Sequence, residues 1–262
     1  MTDMMNLSDS IPRAALVTGA GKRIGRAIAL DLACRGLAVA VHYNGSKEDA
    51  EAVVAEIRAA GGRAVALQAD LAQETAVERL IPAATAALGP IGVLINNAST
   101  FEYDSIASAT RAHWDHHMEA NLRAPFVLIQ QFAQALPDAA EGVVVNLIDQ
   151  RVWNLTPHFV TYTVSKAALW TLTQTLALAL APRIRVNGIG PGPTLPSTHQ
   201  TEAQFAQQCA DMPLGRGTSP DEIVAAVRFL LQAPAMTGQM LALDGGQHLG
   251  WAQPKQTLSV VD

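Results

Sequence analysis

Cysteine is scarce in this sequence, which contains only Cys34 and Cys209 among its 262 residues. The two stand far apart and outside any CxxC or Cys/His ligand spacing, so the sequence carries neither a disulfide framework nor a zinc motif. We therefore expect two reduced and partly buried thiols.

Basic charge is also in short supply, since 18 Lys and Arg residues face 23 Asp and Glu residues and give a formal net charge of −5. No run of Lys or Arg could neutralise the phosphates of a nucleic acid, so we expect no nucleic-acid partner. The first ten residues are polar and acidic, unlike a secretory signal, and a cytoplasmic location is expected.

Long apolar runs are missing as well. The longest candidate, residues 169–181, carries Thr and Gln at helical spacing, whereas a membrane span needs ~18 uncharged residues. We predict a buried helix there and no membrane partner. With 49% hydrophobic and 16% charged residues, the chain can bury a large core. We predict one domain over residues 1–262, with peripheral tails at residues 1–12 and 251–262.

Short β-branched runs alternate with Ala-rich amphipathic stretches, which is the pattern of βα units. Because the runs are apolar on both faces, they predict a parallel sheet with helices on both sides, the doubly wound (Rossmann) α/β class. The predicted strands are Ala14–Thr18, Ala38–His42, Ala64–Gln68, Val93–Asn96, Val143–Ile148, Ile184–Ile189 and Met240–Leu243. The predicted helices are Ile24–Arg35, Lys47–Ala60, Gln73–Leu88, His113–Leu136, Tyr162–Leu180 and Pro220–Leu231. Two longer loops, residues 97–110 and 190–197, each follow a strand, and we expect a substrate cleft between them.

The first strand is followed by T-G-A-G-K-R-I-G, with Gly19, Gly21 and Gly25 in a G-x-G-x-x-x-G spacing. The order of strand, turn and helix start would direct backbone N–H groups and a helix N-terminus at a pyrophosphate. An ordinary Gly-rich turn is the simpler alternative. The loop predicts a dinucleotide site.

The second strand ends V-H-Y-N-G-S-K, without the acid that usually binds the ribose hydroxyls of NAD. Lys22 and Arg23 in the glycine loop and Ser46 and Lys47 after the strand suit a phosphate instead. We therefore predict NADP(H) rather than NAD(H), with Arg23 as the favoured cation and the lysines as possible solvated surface charges.

The segment T-Y-T-V-S-K-A-A-L sets Tyr162 and Lys166 four residues apart, on one face of the predicted helix. A nearby ammonium favours the phenolate and lowers the pKa of a tyrosine. Tyr162 is thus predicted to donate and accept a proton near neutral pH.

Several short motifs in this order resemble the short-chain dehydrogenase/reductase family, over nearly the whole chain from Ala14 to about Gly250. They are the glycine loop Thr18–Gly25, Asn96-Asn97-Ala98, Asn121 within N-L-R-A-P-F, Tyr162 with Lys166, Pro191-Gly192 and Leu243–Gly246. The resemblance implies that Tyr162 transfers the proton, that Lys166 binds the nicotinamide ribose, and that Asn121 helps to hold a water relay.

Members of this family usually carry a serine thirteen residues before the tyrosine, but this chain has Asp149. A carboxylate has no hydrogen for a carbonyl, so it suits a substrate with N–H groups or a ring nitrogen to be protonated. Together with Arg23, His42-Tyr43 and N-N-A-S-T-F, Asp149 resembles the pteridine reductases and the bacterial dihydromonapterin and alternative dihydrofolate reductases. The resemblance implies that Ser99 hydrogen-bonds a pterin and that Phe101 stacks on it.

We therefore predict four catalytic residues, Asp149, Tyr162, Lys166 and Asn121, and substrate contacts from Ser99, Phe101, Asp149 and Tyr162. The predicted cofactor contacts are Gly19, Gly21, Lys22, Arg23, Ile24, His42, Tyr43, Asn44, Ser46, Asp70, Leu71, Asn97, Ala98, Tyr162, Lys166, Pro191 and Gly192. Simpler alternatives are that Asp149 caps a helix or pairs with Arg151, that Phe101 is loop packing, and that Asp70 forms a local turn.

The three histidines His113, His116 and His117 have metal-like spacing, but no carboxylate or cysteine completes a site. We predict no metal and a solvated or dimer-facing helix surface.

The predicted function is NADPH-dependent reduction of a C=N bond in a dihydropterin or dihydrofolate. The alternatives are carbonyl reduction on a sugar, acyl or steroid-like substrate and a non-catalytic NADP(H) sensor. By analogy with the family's dimer face, we expect a homo-oligomer, a tetramer.

Overall fold

Seven parallel strands form one sheet in the order β3-β2-β1-β4-β5-β6-β7. The computed structural model describes residues 4–197 and 200–250 of the chain. The strands are β1 (Ala14–Val17), β2 (Ala38–Tyr43), β3 (Ala64–Gln68), β4 (Val93–Asn96), β5 (Gly142–Leu147), β6 (Ile184–Pro191) and β7 (Met240–Leu243). The predicted doubly wound α/β class is confirmed, and each predicted strand ends within two residues of the observed one.

Helices cover both faces of the sheet, because successive side chains of a strand point to opposite sides. They are α1 (Arg23–Cys34), α2 (Lys47–Ala59), α3 (Glu74–Val77), α4 (Leu80–Leu88), α5 (Arg111–Met118), α6 (Ala124–Ala135), α7 (Val160–Ala179), α8 (Glu202–Ala210) and α9 (Pro220–Gln232). Val17 of β1 belongs to the core against α1, α2 and α9. Its neighbour Leu16 belongs to the core against α4, α6 and α7.

The predicted helix Gln73–Leu88 is two helices, α3 and α4. Pro82 explains the break, since it has no N–H and could not donate to the carbonyl of Glu78 in an uninterrupted helix. In α4 it occupies the first turn, where the N–H groups have no partner within the helix.

The predicted helix His113–Leu136 is also interrupted. A π-helical turn, Glu119–Arg123, joins α5 to α6. Such a turn holds one extra residue and is frequent at functional sites. Its Asn121 side chain is fully buried, and the helical periodicity of the sequence contains no sign of this change.

The amino-terminal segment is not the peripheral tail that we predicted. Met5, Leu7 and Ile11 are at most 4% exposed and join the core of α1, α2 and α9. Arg13 fastens the segment by donating to the carbonyl oxygens of Met5 and Leu7. The predicted tail at residues 251–262 lies outside the described residues, and the single-domain organisation stays a prediction.

Among residues 4–197 and 200–250, no helix is both long and apolar enough to cross a membrane.

The strand order reverses between β1 and β4, so the connections from these neighbouring strands run toward opposite edges of the sheet. Open α/β sheets bind ligands at the carboxyl ends of the strands beside such a reversal. The loops that follow β1, β4, β5 and β6 meet there.

Candidate active site

A cleft lies at this carboxyl edge, between the loops that follow β4 and β6, as the loop lengths predicted. Its lining includes Arg23, Ile24, Asn97, Ser99, Phe101, Asp149, Arg151, Tyr162, Lys166, Pro191, Gly192, Phe205 and Gln208. Predicted catalytic, cofactor and substrate residues from five separate segments are therefore brought together.

Asp149 lies two residues beyond β5 and faces Tyr162 across the cleft. The Tyr162 hydroxyl donates to Asp149 Oδ2 over 2.8 Å. Asp149 Oδ1 accepts from the backbone N–H of Arg151, also at 2.8 Å, and caps the short 3₁₀ turn Gln150–Val152. The carboxylate thus contacts Tyr162 and also forms the local cap, but it does not pair with the Arg151 guanidinium, and its catalytic role stays a prediction.

The predicted lowering of the Tyr162 pKa is wrong for this structure. Burial, the charge of Asp149 and the hydrogen bond to it raise the Tyr162 pKa well above its usual value. The phenol is neutral because its side chain is buried and its proton is held by a carboxylate. Tyr162 is therefore poised to donate a proton rather than to accept one.

Lys166 is fully buried beneath the same site, one helical turn after Tyr162. Its Nζ donates to the carbonyl oxygen of Leu147 over 2.8 Å and lies 5.8 Å from the centre of the Tyr162 ring. Burial lowers the Lys166 pKa to about 8, against the opposing effect of the Asp149 charge. The ammonium is thus held by strand β5 beside the tyrosine.

Asn121 ties the π-helical turn to the loop after β4. Its Oδ1 accepts from the backbone N–H of Thr100 over 2.9 Å, and its Nδ2 donates to the Thr100 carbonyl over 3.0 Å. Nδ2 also lies 3.1 Å from Ser165 Oγ on α7, and the Ser99 hydroxyl donates to Oδ1 over 3.2 Å. Asn121 therefore positions the Ser99 loop, while its water relay stays a prediction.

Phe101 lines the cleft and also packs within its loop, so the packing alternative is present, while its stacking on a substrate stays a prediction. It stacks on Phe159 with ring centres 4.5 Å apart and planes 8° apart. Its edge contact with Tyr162 has a centre-to-centre distance of 4.8 Å. One face of the Phe101 ring is thus covered by Phe159, and this stacking fixes the ring beside Tyr162.

A buried polar chain fixes the start of α7. The Asp104 carboxylate accepts from the backbone N–H and the hydroxyl of Thr161, and the Asp104 carbonyl accepts from the Phe159 N–H over 2.7 Å. Phe159, the N-cap residue, is in the left-handed region and has no side-chain oxygen, so Asp104 supplies the cap from another loop. Asp104 thereby orients Tyr162, the next residue, and the sequence analysis missed it.

The His117 side chain belongs to the same buried group of hydrogen-bonded residues as Asp104 and Thr161, and not to a solvated helix surface. It is fully buried, with Nδ1 at 2.7 Å from Thr161 Oγ1 and Nε2 accepting from the Glu102 N–H over 3.2 Å. Burial lowers its pKa, so the ring is neutral at pH 7. His116 faces Glu102 at 3.6 Å instead, and no group of three metal-ligating side chains occurs within residues 4–197 and 200–250.

The glycine loop is held by close backbone packing and by a polar side chain from the loop after β4. Gly19 has a φ of +62°, and a Cβ on Gly25 would lie 2.3 Å from the Gly19 carbonyl oxygen. Asn97 Nδ2 donates to the Thr18 carbonyl over 2.8 Å. Asn97 therefore supports the loop, and Ala98 is small enough to lie 3.0 Å from where a Gly19 Cβ would be.

His42 has a different role from the predicted cofactor contact. Its side chain is 1% exposed, its Nδ1 accepts from the Gly19 N–H at 3.0 Å, and its Nε2 lies 3.1 Å from the Ala69 carbonyl oxygen. Burial lowers the His42 pKa to about 4, so the neutral ring donates through Nε2. Both nitrogens are occupied, and the side chain supports the glycine loop from below.

Arg23 reaches across the cleft rather than toward the end of β2. Its Nη1 and Nη2 donate to the carbonyl oxygens of Pro196 and Leu195 over 2.9 and 3.3 Å. Its backbone is in the left-handed region, with a φ of +52°. The predicted role of Arg23 at the 2′-phosphate is therefore not supported by its position here.

The remaining predicted cofactor residues lie around the ends of β2 and β3. Lys22 forms an exposed ion pair with Asp49 at 2.9 Å. Asp70 Oδ1 accepts from the Ala72 N–H over 2.9 Å, so its local turn is present. Gly21 lies near α2, and Ser46 precedes that helix without forming a side-chain cap bond. The side chains of Tyr43 and Leu71 pack inward, whereas Asn44 is exposed. Direct contacts of this group with a cofactor stay a prediction.

One wall of the cleft comes from α8, which the sequence analysis missed. Phe205 and Gln208 of this helix line the cleft. Thr201 and Gln204 form a capping box at its start, and the T-x-x-Q spacing is a signal that could have found the helix. Of the two free cysteines, Cys209 is half-buried on α8, whereas Cys34 is exposed, contrary to our prediction.

Comparisons with known proteins show the family of this chain. The model of the short chain dehydrogenase family matches residues 13–208, and the chain belongs to that family. An uncharacterised oxidoreductase of Methylorubrum extorquens is 36% identical over 242 residues, which cover 89% of this chain and 97% of that protein. The 3-oxoacyl-[acyl-carrier-protein] reductase FabG of Staphylococcus epidermidis is 35% identical, covering 90% of this chain and 99% of the relative.

Two solved structures are more similar in sequence. FolM alternative dihydrofolate reductase 1 from Brucella canis, complexed with NADP, is 46% identical with a TM-score of 0.91, covering 95% of this chain and 100% of that chain. The Brucella suis protein of the same name, also with NADP, is 48% identical with a TM-score of 0.89, covering 93% and 97%. The likeness to the alternative dihydrofolate reductases that the motifs indicated is confirmed.

We expect the buried His42 to make stability depend on pH. Its folded pKa of about 4 lies below the unfolded value near 6.5, so protons bind preferentially to the unfolded chain as the pH falls. Protonation of this histidine in the unfolded chain should therefore lower the free energy of unfolding by about 2 kcal/mol when the pH falls from 7 to 5. Urea unfolding of the wild type and of His42→Gln at both pH values measures it. Equal pH dependence in the two proteins would contradict the assignment.

Removing the Asp104 carboxylate should loosen the start of α7. Asp104→Ala leaves the N–H and hydroxyl of Thr161 buried without their acceptor, so we expect a loss of about 3 kcal/mol in unfolding free energy. The matched control is Asp138→Ala, an exposed residue, for which we expect a change below about 0.5 kcal/mol. If the two variants unfold at the same urea concentration, Asp104 does not hold the helix.

Proposed function

We propose that this protein is an NADPH-dependent reductase that reduces a C=N bond of a dihydropterin or dihydrofolate. The observation that carries the proposal is the Asp149 carboxylate 2.8 Å from the Tyr162 hydroxyl, at the position where the family usually has a serine. The resemblance to the two FolM alternative dihydrofolate reductases supports it.

The carboxylate selects the chemistry of the substrate. A ketone presents an acceptor oxygen, which an ionised Asp149 cannot serve because it has no proton to donate. A pterin presents N–H groups that a carboxylate can accept from, and its reduced ring nitrogen requires a proton. Asp149 and Tyr162 together meet both needs.

The cofactor fits the donor groups beside this site. Helix α1 begins without a side-chain cap and without an acid in its first turn, so its free N–H groups and dipole suit a pyrophosphate. The residues after β2 include no carboxylate up to Lys47, which favours NADP(H) over NAD(H). Lys166 would hold the nicotinamide ribose. The bound cofactor supplies the hydride.

The chain's own residues then bind, align and protonate the substrate. The face of Phe101 that does not stack on Phe159 would carry the flat heterocycle and hold it for attack. The raised pKa of Tyr162 keeps its hydroxyl protonated, and this hydroxyl donates a hydrogen bond to Asp149. The pair would pass a proton to the ring nitrogen through water.

A second candidate is reduction of a 3-oxoacyl thioester, because FabG relatives are 35% identical over 90% of the chain. In that case Asp149 would act only as the cap of the turn at Gln150. A third candidate function is a non-catalytic NADP(H) sensor, which would not need the Tyr162 and Lys166 pair.

A substrate panel separates these functions. We expect NADPH oxidation with dihydrobiopterin, dihydromonapterin or dihydrofolate, and little with ketones or 3-oxoacyl thioesters, because only the pterins offer N–H donors to Asp149. Absorbance at the NADPH band measures each rate. Turnover of the thioesters alone would overturn the pterin assignment, and absence of any turnover would favour the sensor.

Exchanging Asp149 for the family's serine tests the carboxylate directly. Asp149→Ser should lower kcat/KM for the pterin about 100-fold, because a positioned proton-transfer group is lost, while 3-oxoacyl reduction rises. Asp149→Asn removes the charge that raises the Tyr162 pKa, so the alkaline limb of the kcat/KM profile should move to lower pH. Asp138→Asn is the surface control, and unchanged pterin reduction in Asp149→Ser would exclude Asp149 from the mechanism.

We also propose a cytoplasmic homotetramer. Large apolar side chains on α5 and α7 support an interface there, since Trp114 is 42%, Val164 38% and Leu178 84% exposed. Light scattering should give four times the chain mass. Leu178→Glu should lower it by placing charge in the interface, whereas a monomeric wild type would refute the assembly.

A further inference from the structure

Arg151 is a cation of the cleft that the proposed chemistry does not use. Among the described residues, the charged side chains lining the cleft are Arg23, Asp149, Arg151 and Lys166. Three cations therefore accompany one carboxylate, and that carboxylate already accepts from the Tyr162 hydroxyl and from the Arg151 backbone N–H.

The other two cations have their donors engaged. Lys166 donates to the Leu147 carbonyl within the buried site, and Arg23 directs both terminal nitrogens at the carbonyls of Leu195 and Pro196. The Arg151 guanidinium donates from Nη1 to Thr156 Oγ1 over 3.1 Å. Its Nε is buried without an acceptor, and its Nη2 has no hydrogen-bond partner within residues 4–197 and 200–250.

The guanidinium is held beside the aromatic wall of the cleft. Its Cζ lies 4.8 Å from the centre of the Phe159 ring and 6.0 Å from that of Phe101. Stacking on an aromatic ring fixes the plane of an arginine and leaves its edge donors available for an anion. A substrate bound against Phe101 would therefore lie beside this cation.

From this arrangement we propose that Arg151 is a specificity-determining residue that binds a carboxylate on the substituent of the pterin ring. The planar fork of an arginine pairs with a carboxylate through two hydrogen bonds. The protein should thus prefer a substrate with an acidic side chain, as in dihydrofolate, over one with a neutral side chain, as in dihydrobiopterin. This inference rests on the proposed function and specifies its substrate class.

The test is the ratio of kcat/KM for dihydrofolate to kcat/KM for dihydrobiopterin. Arg151→Met keeps the apolar stem and removes the donors, so the ratio should fall about tenfold, mainly through the KM for dihydrofolate. The charge of Arg151 also lowers the Tyr162 pKa, but that effect acts on both substrates and cancels in the ratio. Arg79→Met, an exposed arginine with the same loss of charge, should leave the ratio unchanged.

A second variant and the dependence on salt test the same inference. Arg151→Lys retains the charge without the fork, so its ratio should lie between those of the wild type and Arg151→Met. Added salt should lower the wild-type ratio and leave that of Arg151→Met unchanged. A ratio unaffected by Arg151→Met, with both pterins still reduced, would overturn this inference alone. A wild type that reduces neither pterin would overturn the proposed function and this inference with it.

Discussion

Two carboxylates from outside helix α7 hold its first turn, and the geometry of the cleft depends on them. Asp104 accepts from the backbone and hydroxyl of Thr161, and Asp149 accepts from the hydroxyl of Tyr162. A carboxylate at a helix N-terminus is favoured by the free N–H groups and by the helix dipole. Because adjacent residues are held from different loops, the phenol, the Phe101 ring and the Lys166 ammonium keep fixed relative positions.

Hydrogen bonds from distant polar side chains also support the glycine loop. His42 of β2 and Asn97 after β4 are both polar: His42 Nδ1 accepts from the Gly19 N–H, and Asn97 Nδ2 donates to the Thr18 carbonyl. Burial of such groups is costly unless they are hydrogen-bonded. They allow a loop of small residues to keep a shape that lets a ligand approach the backbone closely.

Irregular backbone is concentrated around this cleft. Arg23 and Phe159 are the non-glycine residues with positive φ in the described chain, and the π-helical turn at Asn121 lies behind the same loops. Conformations of this kind persist where the surroundings hold them, and they gather at functional sites. Here each one directs a side chain: Arg23 toward the loop after β6, Phe159 onto Phe101, and Asn121 onto Thr100.

Much of the fold could be read from the sequence, since buried parallel strands are apolar on both faces and helices carry a regular periodicity. The motifs likewise indicated Asp149, Tyr162 and Lys166 as site residues. These residues are close in sequence, since Asp149 follows one strand and the other two lie on the next long helix. Partners supplied by distant segments left no local pattern, which is why Asp104 and the buried role of His117 were missed. The predicted direction of the Tyr162 pKa shift was wrong for the same reason: the sequence shows a lysine four residues away, but only tertiary packing buries the phenol and places a carboxylate within hydrogen-bond distance of it. The class of fold and the residues proposed to react could thus be predicted from local pattern and motif spacing, whereas their protonation and orientation follow from the tertiary structure, because both depend on burial and on contacts between residues far apart in the chain.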